Sequence, residues 1–350
     1  MGGIGFRDNG RIKVNQPDGY NDNNLDEISF PRWDIFPLEK YFKINNPHGS
    51  PARRTPFLPM ITSRGCPFDC IFCSVHNLWG KKYRKRSAEN VLSEIEYIIN
   101  KFGVKEILFE DDNLTLDKIR AVEIFSGMIE KKFNLAWSAP NGLAAQTLDN
   151  DLLKLMKQSG CYRINIGVES GDEGILKNII RKPISLSIVS DVIKSAKKLN
   201  IETGAFFVVG LPTETPRQLN NTLRFARKIK VDNPNFFFAT PLPGTRLFNL
   251  CKEQKLIDEQ FDYSYLKSDY PSFSTEYFSK DKLYLLVFRT RLIMFLLYIF
   301  NNPLKFFRKL FLKIRLDPAY FIRHRHRFLN THNRKDKDFL IKENTKRKYS

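Results

Sequence analysis

Six short apolar runs, separated by stretches with helical periodicity, restrict this chain to a narrow set of folds. The runs are Pro59–Ser63, Lys105–Glu110, Asn134–Ser138, Tyr162–Val168, Glu202–Val209 and Asn235–Thr240. Helical spacing occupies Ala88–Phe102, Leu116–Lys132, Asp151–Ser159, Ser185–Leu199 and Thr215–Ile229. Val91, Ile95, Ile98 and Ile99 share one side of the first of these. Ile119, Val122, Phe125 and Ile129 are the expected stripe of the second. Gly160 stops the third. A strand that feeds a helix and then another strand returns as a parallel neighbour through a right-handed crossover. Six unbroken units suit a partial barrel better than a flat doubly wound sheet, although periodicity is compatible with both. In either fold, ligands bind beyond the carboxyl ends of the strands. The residues just after each run therefore carry the functional reading.

The segment after the first run is Ser63-Arg64-Gly65-Cys66-Pro67-Phe68-Asp69-Cys70-Ile71-Phe72-Cys73. The chain has five cysteines, an odd number that does not suggest a disulfide framework. Cys161 and Cys251 stand alone. In a reducing compartment, a tight group of cysteines is more often a metal site. Thiolates are natural ligands of iron–sulfur clusters, and a full set is four. Three leave one iron open to the amine and carboxylate of a small molecule. Zinc also wants four ligands, and His76, three residues past Cys73, can supply the last. Gly65 and Pro67 suit a tight loop. Phe68, Ile71 and Phe72 can shield a cluster from water and so tune its potential.

Other strand ends carry polar groups. Glu110-Asp111-Asp112-Asn113 follows the second run. Asp111 or Asp112 can meet an amino group, or these acids cap the helix starting near Leu116. Gly167-Val168-Glu169-Ser170-Gly171 follows the fourth run. Glu169 and Ser170 can take ribose hydroxyls, or cap a helix near Glu173. Gly210-Leu211-Pro212-Thr213-Glu214-Thr215 follows the fifth, where Glu214 is either a ligand or a helix-start carboxylate. Pro241-Leu242-Pro243-Gly244-Thr245 reads as a turn. Arg84 and Arg86 offer cations to an anionic substrate, or belong to a solvated basic loop.

The C-x3-C-x-aromatic-C spacing after the first of six βα units resembles the radical SAM superfamily. The resemblance covers roughly Pro59 to Phe248. It implies a partial (βα)6 TIM-like barrel. It also implies that Cys66, Cys70 and Cys73 hold a 4Fe-4S cluster whose open iron chelates S-adenosylmethionine (SAM). One electron then breaks SAM to give a 5′-deoxyadenosyl radical, which abstracts a substrate hydrogen. By the same resemblance Phe72 sits near adenine, and Asp111, Asp112, Glu169, Ser170, Gly210 and Glu214 are candidates for binding SAM. Thr213 stands where the family's G-L-P-G-E-T segment has glycine, which puts the local backbone in doubt. The order Arg64-Gly65-Cys66-Pro67, the run from Trp79 to Ser87, G-V-E-S-G and G-L-P-x-E-T together look like the cobalamin-associated branch. That branch contains methyltransferases and anaerobic ring-forming enzymes. Its members begin with a cobalamin-binding domain, whereas residues 1–58 resemble only the linker after one, with Leu25-Asp26 and Pro31-Arg32-Trp33-Asp34. Cobalamin then comes from a separate protein, or the chain is truncated, or cobalamin is not used.

Charge divides the chain. Residues 280–350 hold 19 Lys/Arg against 5 Asp/Glu, and the rest holds 38 against 33. The expected organisation is a linker-like segment (1–58), the core (59–250), a helical basic extension (251–329) and a disordered tail (330–350). Pro17-Asp18-Gly19 reads as a turn, and no regular core element stands out before about residue 58. Residues 292–300 are wholly apolar but too few to span a bilayer, so no transmembrane helix is expected. Asn302 and Pro303 can start a helix with Phe307, Leu310, Phe311 and Ile314 on one face. Lys305, Arg308, Lys309 and Lys313 crowd another. That pattern suits an anionic membrane surface and hints at a small-molecule, apolar or lipid-like substrate. No signal peptide pattern is seen, so the expected location is cytoplasmic, peripheral at the inner face of the membrane. Partners would include an electron donor such as flavodoxin or ferredoxin. Two other readings stay open: a non-catalytic zinc or iron–sulfur module, and an RNA-modifying radical SAM enzyme. The nearly neutral core argues against nucleic acid.

Overall fold

The computed structural model describes residues 4–15, 24–47, 51–258 and 260–301, with 303, 304, 307, 310 and 311. The chain falls into two compact units. One comprises Met1–Phe36 and Arg53–Leu297; the other comprises Pro37–Ala52 and Tyr298–Ser350. The expected turn at Pro17-Asp18-Gly19 lies outside the described residues. So do Asn302, the basic positions Lys305, Arg308, Lys309 and Lys313, Ile314, and the tail from Asn330.

The first unit opens with an antiparallel hairpin of β1 (Gly5–Asp8) and β2 (Arg11–Val14), turned at Asn9 and Gly10 with φ of 47° and 80°. Sequence patterning misses it because Phe6, Ile12 and Val14 are exposed. The hairpin has no buried face to read. The second unit contains α1 (Leu38–Ile44), closed by a left-handed Asn45 whose side chain accepts the Ala52 N–H.

The remainder of the first unit is an α/β body. It begins with β3 (Phe57–Met60), β4 (Ser63–Arg64), α2 (Val75–Trp79) and β5 (Arg84–Lys85). Helix and strand then alternate through α3 (Ala88–Phe102), β6 (Glu106–Phe109), α4 (Lys118–Glu130) and β7 (Ala136–Leu143). Next come α5 (Asn150–Gln158), β8 (Cys161–Glu169), α6 (Leu186–Lys198), β9 (Glu202–Val209), α7 (Pro216–Ile229) and β10 (Asn233–Phe238). Two helices follow, α8 (Arg246–Glu253) and α9 (Lys280–Asn301). Six strands make one sheet in the order β10-β9-β8-β7-β6-β3, and every neighbouring pair is parallel. Chain order equals spatial order, as in a barrel wound one way, with β3 and β10 left as edges. This is the expected α/β fold with a C-terminal helix.

Helix ends obey local chemistry. Ser87, Asp117 and Asp149 cap α3, α4 and α5, and Thr215 with Gln218 forms a capping box on α7. Trp137 fills the core, stacked on Phe125 at 4.8 Å and edge-on to Phe109 at 5.3 Å. Burying a large apolar side chain of this kind contributes roughly 1.5–3 kcal/mol.

α4 departs from the expected stripe. Ile119 and Val122 are exposed, whereas Arg120, Ala121, Ile124, Phe125 and Met128 are buried. Arg120 decides the rotation. Its guanidinium donates to the Thr62 carbonyl at 3.2 Å and the Tyr83 hydroxyl at 3.1 Å. A buried, partnered cation is a tertiary feature that hydrophobic counting misses. α9 also corrects an expectation. It is one continuous helix, long and apolar enough to cross a membrane by length and composition.

Candidate functional site

The cysteines lie on a loop whose two ends are tied together. β4 pairs antiparallel with β5, joining Ser63 to Lys85 and Arg64 to Arg84. Gly65 opens the loop at φ 84°, and a Cβ there would sit 2.3 Å from the Lys82 carbonyl oxygen. Only glycine fits that turn. Further in, the Cys73 N–H donates to the Cys70 carbonyl at 3.0 Å. Ile71 is buried and is the loop's anchor. Its N–H donates to the Ile180 carbonyl at 3.2 Å, and its carbonyl accepts the Leu247 N–H at 2.9 Å. Phe72 and Cys70 pack partly against the same apolar cluster.

His76 clamps this loop. Its Nε2 is 2.9 Å from the Cys66 carbonyl oxygen, and its Nδ1 is 3.9 Å from Asp69. Both ring nitrogens thus face loop partners, which weakens the zinc reading. Asp69 accepts from Lys81 at 2.7 Å and Arg246 at 2.5 Å. The Lys81 hydrogen bond, against slight desolvation, helps hold its carboxyl below the usual range.

Burial raises all three thiols, Cys70 to about 12. Lys182 opposes this at Cys70 and Cys66. Its ammonium is buried, donating to the Gly167 carbonyl at 2.6 Å and to Glu169 Oε1 at 2.7 Å. Desolvation alone would lower Lys182, but Glu169 and the thiols outweigh it and hold it above its ordinary value. Gly167 makes room for this pair. A Cβ there would meet Lys182 Nζ at 2.7 Å and Glu169 Oε1 at 2.8 Å. Glu169 itself is left-handed, with φ 68°, a conformation that costs a non-glycine residue about 1–2 kcal/mol. Lys182 was invisible to pattern reading. It sits 13 residues past its partner on no periodic face, and no motif signals it.

The other expected residues divide by neighbourhood. Asp111 is fully buried. It accepts from the Thr62 N–H, the Thr62 hydroxyl at 2.7 Å and the Ser63 hydroxyl at 2.5 Å. Its oxygens pin the entry to the cysteine loop. Asp112 is half-buried near Cys66 and Cys73. Burial and then Asp111 push its carboxyl up, against the Gly65 N–H. Neither acid caps α4, since Asp117 does. Ser170 is buried toward α7, its hydroxyl 2.9 Å from Thr222 Oγ1 and accepting the Asp172 N–H at 3.1 Å. Gly210 donates its N–H to Glu214 Oε2 at 2.6 Å. Arg86 forms a buried ion pair with Glu94 and donates to Asn90 Oδ1 at 2.7 Å. It is therefore neither a solvated cation nor open to an anionic substrate. Cys161 and Cys251 are buried, with thiols raised to about 12 by desolvation.

Glu214 is fully buried, and among the described residues its Oε1 has no hydrogen-bond partner. Desolvation pushes its carboxyl up to about 7 from 4.5, against the Gly210 and Leu211 N–H groups. The folded chain therefore binds this proton more tightly than the unfolded chain does. The stabilisation is full below about pH 4.5 and is lost as pH rises through about 7. Its size is on the order of 3 kcal/mol. Glu214→Gln should flatten the pH dependence of the melting temperature across that window and melt above the parent at alkaline pH. Calorimetry at a series of pH values checks this.

Among the described residues, no set of three or more His, Cys, Asp or Glu side chains is gathered closely enough to hold an ion as it stands. The donor chemistry nevertheless fits a cluster: three thiols on one anchored loop, a buried cation opposing the raised pKa values of Cys66 and Cys70, and apolar cover. Residues 60–226 match the Radical SAM superfamily. That stretch is a radical SAM domain. It is similar to an uncharacterized methyltransferase of Pyrococcus horikoshii, 35% identical over 73% of this chain and 53% of the relative. It is also similar to cytidylyl-2-hydroxyethylphosphonate methyltransferase of Streptomyces wedmorensis, 33% identical over 67% of this chain and 45% of the relative. The chain spans about half the length of these curated relatives. Among solved structures, the radical SAM methyltransferase TsrM from Kitasatospora setae aligns with a TM-score of 0.54 at 16% identity, over 62% of this chain and 41% of that one. That likeness concerns the fold alone. A radical SAM domain implies a 4Fe-4S cluster and SAM as its cofactors.

Proposed function

We propose that this chain is an enzyme that cleaves SAM reductively, with Cys66, Cys70 and Cys73 as cluster ligands, and that it methylates or cyclises a small, apolar or lipid-like substrate. The observation that carries the reading is geometric: three thiols on one loop anchored at Gly65 and Ile71, with the buried Lys182–Glu169 pair at the end of β8. The cluster, when bound, supplies the electron that breaks SAM. The chain's own residues do the rest. Lys182 offsets the negative charge of the thiolates. Asp112, beside the loop, is the better candidate of the acidic pair for the SAM amino group. Glu169, Ser170, Gly210 and Glu214 shape the strand ends where the nucleoside part would lie. Phe72 and Ile71 keep water from the loop, which tunes the potential.

An external one-electron donor of the flavodoxin or ferredoxin kind would serve the site. Cobalamin, where used, would come from a domain or protein beyond the residues of this sequence. The basic, apolar C-terminal part supports work beside an anionic membrane.

Anaerobic reconstitution with iron and sulfide, run with and without cobalamin, tests the reading. The expected result is a brown protein that converts SAM to 5′-deoxyadenosine after reduction. Label from the SAM methyl group should appear in the product if methylation is the reaction, and a mass loss of hydrogen if ring closure is. A well-formed cluster that leaves SAM intact would sink the proposal. Strongly salt-dependent RNA affinity would favour an RNA substrate instead.

A further inference from the structure

α9 is apolar on two opposite sides, and the domain covers only one of them. Leu283, Val287 and Thr290, at helical spacing, are buried in the first unit. Arg291 donates to the Phe236 carbonyl and ties the helix to edge strand β10. The opposite side carries Leu285, Phe288, Leu292 and Leu296, at i, i+3, i+7 and i+11, with Ile293 beside them. These side chains are 40–55% exposed. A stripe of that length on a surface helix marks a site of interaction.

The charge around the stripe indicates what covers it. Exposed Lys282 and Arg289 lie along the same side. The sequence from 301 to 350 adds 15 Lys/Arg against 4 Asp/Glu. Apolar side chains bordered by cations fit an anionic lipid surface, where acyl chains take the stripe and headgroups take the charges. The buried face favours a helix lying along the bilayer over one crossing it. Leu283, Val287 and Thr290 cannot be buried in the domain and in lipid together.

We propose that α9 docks this enzyme on an anionic membrane by laying the Leu285–Leu296 stripe into the headgroup boundary. The domain rides on the surface, and the helix does not span. This surface contains no part of the cysteine loop, so its test stands apart from that of the chemistry.

The test is co-sedimentation of the full chain with vesicles of phosphatidylcholine alone and of phosphatidylcholine mixed with phosphatidylglycerol. The parent chain should bind the mixed vesicles and lose binding as salt rises. Leu292→Ser/Leu296→Ser should weaken binding at least about tenfold, with an unchanged melting temperature because both sites are exposed. Arg289→Gln should weaken it about fivefold. In a Leu292→Trp variant, added fluorescence should be quenched by brominated lipid. Undiminished binding of the double variant, equal binding to neutral vesicles, or no quenching at Trp would overturn the proposal. So would a dimer by light scattering that the double variant dissolves, since the stripe would then belong to a second copy.

Discussion

Replacing Cys70 with serine should leave a folded chain that takes up no iron and makes no 5′-deoxyadenosine. The loop is held by groups that the substitution spares. Those are the Ile71 N–H and carbonyl bonds to Ile180 and Leu247, the β4–β5 pairing and the tight turn at Gly65. A serine in this partly covered position costs the fold on the order of 1 kcal/mol. Its effect on the chemistry is far larger. A three-thiolate set reduced to two cannot hold a cubane with one open iron. Turnover should fall by roughly a thousandfold or more, equivalent to ~4 kcal/mol. Iron and sulfide analysis after anaerobic reconstitution, with product chromatography, reads both quantities. Cys161→Ala is the control, because that thiol is buried in β8, where it donates to the Arg163 carbonyl at 3.8 Å. It should keep its iron. Were the site instead a structural zinc module, Cys70→Ser would unfold with the loss of metal, and no SAM would be consumed by the parent chain either.

The second large effect belongs to Lys182. Lys182→Met leaves the Glu169 carboxylate buried without its cation. Breaking one side of a buried ion pair costs about 3–5 kcal/mol. In a unit of this size that lowers the melting temperature by roughly 10 °C. Adding Glu169→Gln removes the orphaned charge, so the double variant should regain most of the loss. Reconstitution separates two roles. The Lys182 charge favours ionised thiols at Cys70 and Cys66. If it helps to seat the cluster, the double variant will be stable yet poor in iron and weaker for SAM, judged by equilibrium dialysis. If the double variant recovers stability, iron and SAM together, Lys182 is only a structural counter-ion to Glu169.

Much of the fold was legible because burial imposes a period. β9 and α3 match the expected ranges, since a strand buried between helices is continuously apolar and α3 turns one apolar side inward. Legibility failed where a polar contact set the geometry. α4 is rotated by Arg120, and Arg86 is drawn inside by Glu94. The β1–β2 hairpin has no buried side at all. The tail fared differently. Its basic, apolar composition is plain in the sequence, but the unbroken run of α9 past Arg289 and Arg291 depends on partners, Phe236 among them.

The six alternating units, the Cys66, Cys70, Cys73 spacing and the strand-end motifs together carried the resemblance to the radical SAM superfamily from the sequence, because parallel crossover topology and closely spaced thiols both follow from local order along the chain. Tertiary structure decided which polar residues attend the cysteines. Asp111 and Ser170 turn to their own loops and helices, Asp112 stays beside the thiols, and Lys182 arrives from 13 residues beyond Glu169. Electrostatic partners in a low-dielectric interior are chosen by distance in space, a quantity that spacing along a chain does not contain.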